Sequence, residues 1–114
     1  MMTDLQFYLL KLMEECNEVA QNASKTMQFT LDEVMKGQPL SNRQRVHAEL
    51  DDVMAVIEEL NARGLDYTPD PERIAAKKVK MRRYRQYSEE LGTVERSNDQ
   101  NDGYLFRGDT NGIY

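Results

Sequence analysis

One spacing restricts the fold more than any other feature. In "SNRQRVHAELDDVMAVIEELNARG", residues 41–64, Val46, Leu50, Val53, Ile57 and Leu60 follow one another at intervals of four, three, four and three. Residues three and four apart share one face of an α-helix, so the run forms an apolar stripe along one side of a helix. A strand would need a period of two. Such a stripe has to be covered by other helices, and a helical bundle does this. Ser41 or Asn42 caps the start of the helix and Gly64 ends it.

Two further helices are expected. Near residues 4–23, Leu5, Leu9, Leu12, Cys16, Val19 and Ala20 keep the helical period, with Thr3 or Asp4 as cap. In "DYTPDPERIAAKKVKMRRYRQYSEELG", Asp70 is the cap, Pro71 takes the first helical position and Gly92 is the stop. The connection "SKTMQFTLDEVMKGQPLS" (24–41) contains a candidate short helix at 30–37. Thr30 would cap it, Glu33 would complete a capping box and Gly37 would stop it. No stretch before residue 93 shows strand alternation. The expected fold is therefore all-α: a small bundle of three long helices and one short helix over residues 1–92. From Thr93 the chain turns rich in Asn, Asp and Gly. Residues 93–114 read either as a flexible tail or, through Tyr104, Leu105, Phe106, Ile113 and Tyr114, as a segment docking on a neighbouring subunit.

Composition removes several function classes. With 114 residues the chain makes one small domain, whose limited core favours oligomerisation. Met13, Met27, Phe29, Met35, Met54, Val56 and Met81 are left over once the main stripes are assigned, and some are expected between subunits. No apolar run approaches the ~20 residues that span a bilayer. "MMTDLQFYLLKLMEE" lacks the basic start and cleavage site of a signal peptide, so a cytoplasmic protein without a membrane partner is expected. Cys16 is the only cysteine and His47 the only histidine, which excludes an internal disulfide and a Cys/His zinc site. Any metal must be held by oxygen. The net charge of −5 argues against a general nucleic-acid binder.

The carboxylates are unusually placed. Glu15 and Glu18 lie three apart on the first helix, and Glu49 and Asp52 three apart on the next. Each borders an apolar position, beside Cys16, Val19, Leu50 and Val53 respectively. If the helices pack antiparallel, the two pairs face each other. Four converging carboxylates do not all stay ionised without cations. Hard divalent ions suit this ligand set: Mg²⁺, with Mn²⁺ as a substitute. One such pair alone is usually a solvated helix face; two at the core border of neighbouring helices are harder to dismiss. "KKVKMRRYR", residues 77–85, adds six basic residues in nine, with Lys77, Lys80 and Tyr84 on one face. Carboxylate-bound metal beside cations suits a triphosphate. Taken alone, the basic run reads as a solvated face partly offset by Glu89 and Glu90. "GQPLSNRQR" is not a P-loop, so a phosphate here would be held by metal and side chains.

"EECNE" (14–18) followed by "ELDD" (49–52) resembles the EExxE…ExxD signature of the MazG-like all-α nucleoside triphosphate pyrophosphohydrolases. That superfamily includes dimeric dUTP and dCTP pyrophosphatases and phosphoribosyl-ATP pyrophosphohydrolase. The resemblance covers about residues 5–92 and is closest to the small single-domain, often phage-encoded, members. It implies cleavage of an NTP or dNTP to monophosphate and pyrophosphate. By the same resemblance Glu15, Glu18, Glu49 and Asp52 match the metal ligands, and Glu14 the extra glutamate, which either supports the ligands from behind or orients water. Lys77, Lys80 and Tyr84 match the basic positions and the aromatic of the last helix. The small members are similar to dimers or to tetramers built as pairs of dimers. Two departures stand out: Asp51 replaces a small residue, and Lys78 an asparagine. Lys25 reads equally as a phosphate contact or a solvated lysine. Asn17 and Asn22 flank the acidic face, where a helix-surface amide is the favoured reading and a base contact the other. The competing functions are a nucleotide-sequestering relative without turnover and a helical interaction module without ligand.

Overall fold

A computed structural model describes residues 1–96. They form three helices: α1 (Asp4–Phe29), α2 (Asn42–Asn61) and α3 (Pro71–Leu91). There is no strand among the described residues, only an isolated bridge between Val34 and Ser41. The class is all-α, as the apolar periods require. The expectation for Tyr104, Leu105, Phe106, Ile113 and Tyr114 lies outside the described residues. By internal packing the chain falls into two units, Met1–Tyr67 and the part from Thr68 onward.

Local chemistry explains each helix start. Thr3 Oγ1 accepts from Gln6 N at 3.1 Å while Thr3 N donates to Gln6 Oε1 at 2.9 Å, a reciprocal capping box. Ser41 and Gln44 repeat it at 3.2 and 2.9 Å. Asp70 Oδ1 accepts from Glu72 N and Arg73 N at 3.0 and 3.2 Å, just before Pro71. Gly92 closes α3 with a φ of 79°, which a glycine adopts freely. α1 runs past the expected residue 23 to Phe29, because "SKTMQF" continues the helix rather than opening the connection.

The short helix expected at 30–37 does not form. Thr30 instead ends α1, with φ 74° and ψ 167°. The segment is occupied with capping α2. Asn42 N donates to Glu33 O at 3.0 Å and Arg43 N to Leu31 O at 2.9 Å. The Asn42 carboxamide, 3% exposed, donates to Thr30 O at 2.8 Å and to Glu33 Oε1 at 3.1 Å. A helix start has N–H groups with no partner inside the helix. Carbonyls tied up in a helix of their own could not serve them, so the extended loop wins over the Thr30–Glu33 capping pattern.

α1 and α2 form an antiparallel hairpin. At one end Arg63 binds Asp4 at 2.6 Å and Glu59 at 2.8 Å, with its guanidinium 4.0 Å over the Tyr8 ring. At the other end Asn42 ties down Thr30. Along α2 the partly buried apolar residues are Val46, Val53, Val56 and Ile57, with Leu60 fully buried. Leu50, expected in this stripe, is 47% exposed, and Val56 takes its place. On α1 only Leu12 and Val19 of the expected stripe turn inward; Leu5, Leu9, Cys16 and Ala20 are exposed. Leu60 is the one fully buried apolar side chain among the described residues. In the second unit, residues 71–81 of α3 are exposed throughout.

Thr30 sits in a backbone region that is essentially reserved for glycine and costs a β-branched residue about 1–3 kcal/mol. Thr30→Gly is expected to raise stability by about 1 kcal/mol in urea melts, after subtracting the ~0.5–1 kcal/mol of extra unfolded-chain entropy. Asn42→Ala, which leaves the Thr30 carbonyl unmet, is expected to lower stability by about 1–3 kcal/mol in the same melts.

Candidate functional site

The hairpin seam is polar at its centre. Glu15 and Glu18 lie on α1 and Glu49 on α2, and one carboxylate oxygen from each lies within 4.8 Å of the others. The antiparallel register brings them together from 31 and more residues apart in sequence, as the paired spacing required. Glu15 and Glu49 are partly buried and Glu18 is exposed, so the cluster is open on one side. Oε2 of Glu15 and Oε2 of Glu49 are buried and have no hydrogen-bond partner.

The electrostatics follow from that geometry. Burial, then the charges of Glu18, Asp52 and Glu14, push the Glu15 carboxyl above its ordinary value, against a small opposing effect of Lys11. Burial, a hydrogen bond with Glu18, and the charges of Glu18, Asp52 and Glu15 push Glu49 up as well.

Asp52 is exposed at the rim, one turn from Glu49, and its oxygen is not one of the three clustered atoms. Its charge nevertheless reaches both Glu15 and Glu49. Glu14 is exposed and pairs with Lys11 at 3.1 Å. Asp51 points away: two residues from Glu49 is about 200° around the helix. It does not add a fifth carboxylate to the cluster. Lys25, partly buried, borders an open depression of about 420 Å³ with Ala20, Gln21, Ser24 and Gln28. Lys77, Lys80 and Tyr84 are exposed on α3, in the other unit, with Lys80 Nζ 5.9 Å from the Tyr84 ring centre. Arg85 of the same helix is engaged with Glu89 at 3.2 Å.

Two residues carry more than their sequence context suggested. Asn22 is buried, at 7% exposure, whereas Asn17 is exposed. Arg45 is partly buried and its Nη1 is a buried donor without a partner. The available signal was its place four residues before Glu49 and seven before Asp52, on the same helix face.

The donor set fits a hard divalent ion. It consists of carboxylate oxygens alone, on residues two of which also hold a buried oxygen without a partner, and exposed Glu18 leaves one side open. Comparisons with protein-family models, curated proteins and solved structures give no match to the chain.

A carboxyl raised by folding favours the fold while it is protonated, below its ordinary value of 4.5. That contribution is lost as pH rises through the raised folded value. The melting temperature is therefore expected to fall between pH 4.5 and neutrality by more in the wild type than in Glu49→Gln. Millimolar Mg²⁺ is expected to restore it at pH 7 more than at pH 4.5, read by thermal melts with and without EDTA.

Proposed function

We propose that the chain is a Mg²⁺-dependent nucleoside triphosphate pyrophosphohydrolase of the MazG-like type. It takes an NTP or dNTP to the monophosphate and pyrophosphate, as a cytoplasmic homo-oligomer, a dimer or tetramer. The observation that carries this reading is the convergence of Glu15, Glu18 and Glu49 oxygens within 4.8 Å, two of the residues presenting buried, unsatisfied oxygens. The match of "EECNE" and "ELDD" to the EExxE…ExxD pattern supports it.

Glu15, Glu18, Glu49 and Asp52 would hold Mg²⁺, or Mn²⁺ in its place. Such an ion, when bound, would supply positive charge to the phosphate oxygens and make a water more acidic. The chain's own groups do the rest. Water replaces pyrophosphate at the phosphorus nearest the nucleoside, and the water gives up a proton. A carboxylate not committed to metal must take or steer that proton. Glu14, next to Glu15 and tied to Lys11, fills this role. Lys25 would neutralise part of the remaining phosphate charge, and by the resemblance Lys77, Lys80 and Tyr84 match the basic and aromatic positions of the family's last helix.

The oligomer rests on exposed apolar surface. Met13, Met27, Phe29, Met35, Met54 and Met81 are between 37% and 83% exposed, and the α1 stripe adds Leu5 and Leu9. Burying apolar surface of this kind drives association at about 25 cal/mol per Å².

A (d)NTP panel with Mg²⁺ and pyrophosphate detection tests the activity. Glu15→Gln, Glu18→Gln, Glu49→Gln and Asp52→Asn are each expected to lower turnover by about 100-fold or more, while Glu58→Gln stays near wild type. Nucleotide binding without turnover would identify a sequestering relative, and neither would leave a helical interaction module. Light scattering on a sizing column is expected to give a dimer or tetramer; a 13.3 kDa monomer at micromolar concentration would refute the assembly.

A further inference from the structure

We infer that Asn22 and Arg45 form a phosphoryl-binding layer, which takes the phosphoryl group next to the metal-bound one and so selects ligands with two or more linked phosphates. The inference rests on the metal reading of Glu15, Glu18 and Glu49.

The hairpin register places these two residues. α1 and α2 run antiparallel, with Asp4 bound to Arg63 at one end and Glu18 against Glu49 in the middle. One turn on from Glu18 along α1 is Asn22. One turn back from Glu49 along α2 is Arg45. The two therefore stand level, in the layer next to the carboxylates, separated from them by about 6 Å along the axis. Asn22 shares its helix face with Glu15 and Glu18, and Arg45 shares one with Glu49 and Asp52.

Neither side chain is satisfied by the protein. Asn22 is more than nine-tenths buried as a residue, yet its carboxamide, which keeps a narrow opening to solvent, bonds to no described residue; beyond the helix's own backbone bonds, its carbonyl accepts from Thr26 Oγ1 at 2.7 Å. Arg45 Nη1 is buried without a partner. Other arginines of this hairpin behave differently: Arg43 pairs with Asp32 at 3.2 Å, and Arg63 with Asp4 and Glu59. Arg45 has Glu49 one turn away and still makes no ion pair with it.

The chemistry selects the ligand. Buried polar groups without partners are costly, and such groups persist where a ligand completes them. Arginine offers only donors, and the asparagine amide offers two more. Donors from two sides call for an oxygen-rich anion, and guanidinium matches the geometry of phosphate. A carboxylate-bound cation one turn away fixes where that anion's neighbour sits. A single phosphate occupies one layer or the other, whereas a diphosphate spans both.

The test is titration calorimetry on the full chain, first with Mn²⁺ alone. It is repeated in saturating Mg²⁺ with imidodiphosphate, a non-hydrolysable diphosphate, and with inorganic phosphate. The variants are Arg45→Met and Asn22→Leu, with Arg45→Gln and Asn22→Ala replacing either that fails to fold. The inference expects Mn²⁺ affinity within about twofold of wild type in every variant, and imidodiphosphate affinity at least about tenfold weaker. Inorganic phosphate is expected to bind the wild type at least about tenfold more weakly than imidodiphosphate. Arg45→Met is also expected to melt no lower than wild type, since it removes a buried donor that has no partner. Unchanged imidodiphosphate affinity with intact Mn²⁺ binding overturns this inference alone. A parallel loss of Mn²⁺ affinity overturns it too, because the two residues then only shape the carboxylate cluster. No Mn²⁺ binding by the wild type overturns both the inference and the metal reading beneath it.

Discussion

The repulsion among Glu15, Glu18 and Glu49 is the constraint around which the hairpin is built. Three carboxylates with oxygens within 4.8 Å of one another occupy a seam that would ordinarily hold apolar side chains. Two are raised above their ordinary titration range, burial being the main cause. The helices are held together mostly elsewhere. Arg63 clamps one end through Asp4, Glu59 and Tyr8, and Asn42 latches the other through Thr30 and Glu33. Leu60 supplies the one fully buried apolar anchor among the described residues. A scaffold that is fastened at its ends and repulsive in its middle suits a site completed by a cation.

The same constraint accounts for the exposed surface. The inward face of α1 carries Glu15 and Asn22, so Leu5, Leu9 and Cys16 are turned outward. The seam face of α1 thus mixes Leu12 and Val19 with Glu15 and Asn22, while Leu5, Leu9, Cys16 and Ala20 lie outside it. Placing Glu15, Glu49 and Asn22 in the α1–α2 seam leaves Leu5 and Leu9 exposed on the hairpin. In the proposed reading, site and assembly are therefore linked: the oligomer makes up for a core that the hairpin lacks.

Much of this was legible in the sequence where local chemistry decides. Capping boxes at Thr3 and Ser41, the Asp70–Pro71 start and the Gly92 stop depend on residues a few positions apart. The paired acids Glu15, Glu18 and Glu49 were legible because i, i+3 spacing fixes a face. What failed depended on partners distant in sequence. Thr30 and Glu33 have the spacing of a capping box, but Asn42, nine and twelve residues on, claims both. Leu50 and Val56 both fit a helical stripe, and only the position of α1 decides which turns inward. Asn22 and Arg45 look like ordinary surface residues until the register sets them level. Asp52 was legible as a neighbour of the cluster, but its place on the rim was not.

Mn²⁺ electron paramagnetic resonance at pH 7 tests the central claim most directly. The spectrum of free hexaaqua Mn²⁺ is sharp and loses amplitude on binding. Stoichiometric wild-type protein is expected to remove most of that signal, excess Mg²⁺ to restore it, and Glu18→Gln to abolish the effect. A free-Mn²⁺ spectrum that the wild-type protein leaves unchanged would contradict the account, because the cluster would then be an acidic seam that holds no ion.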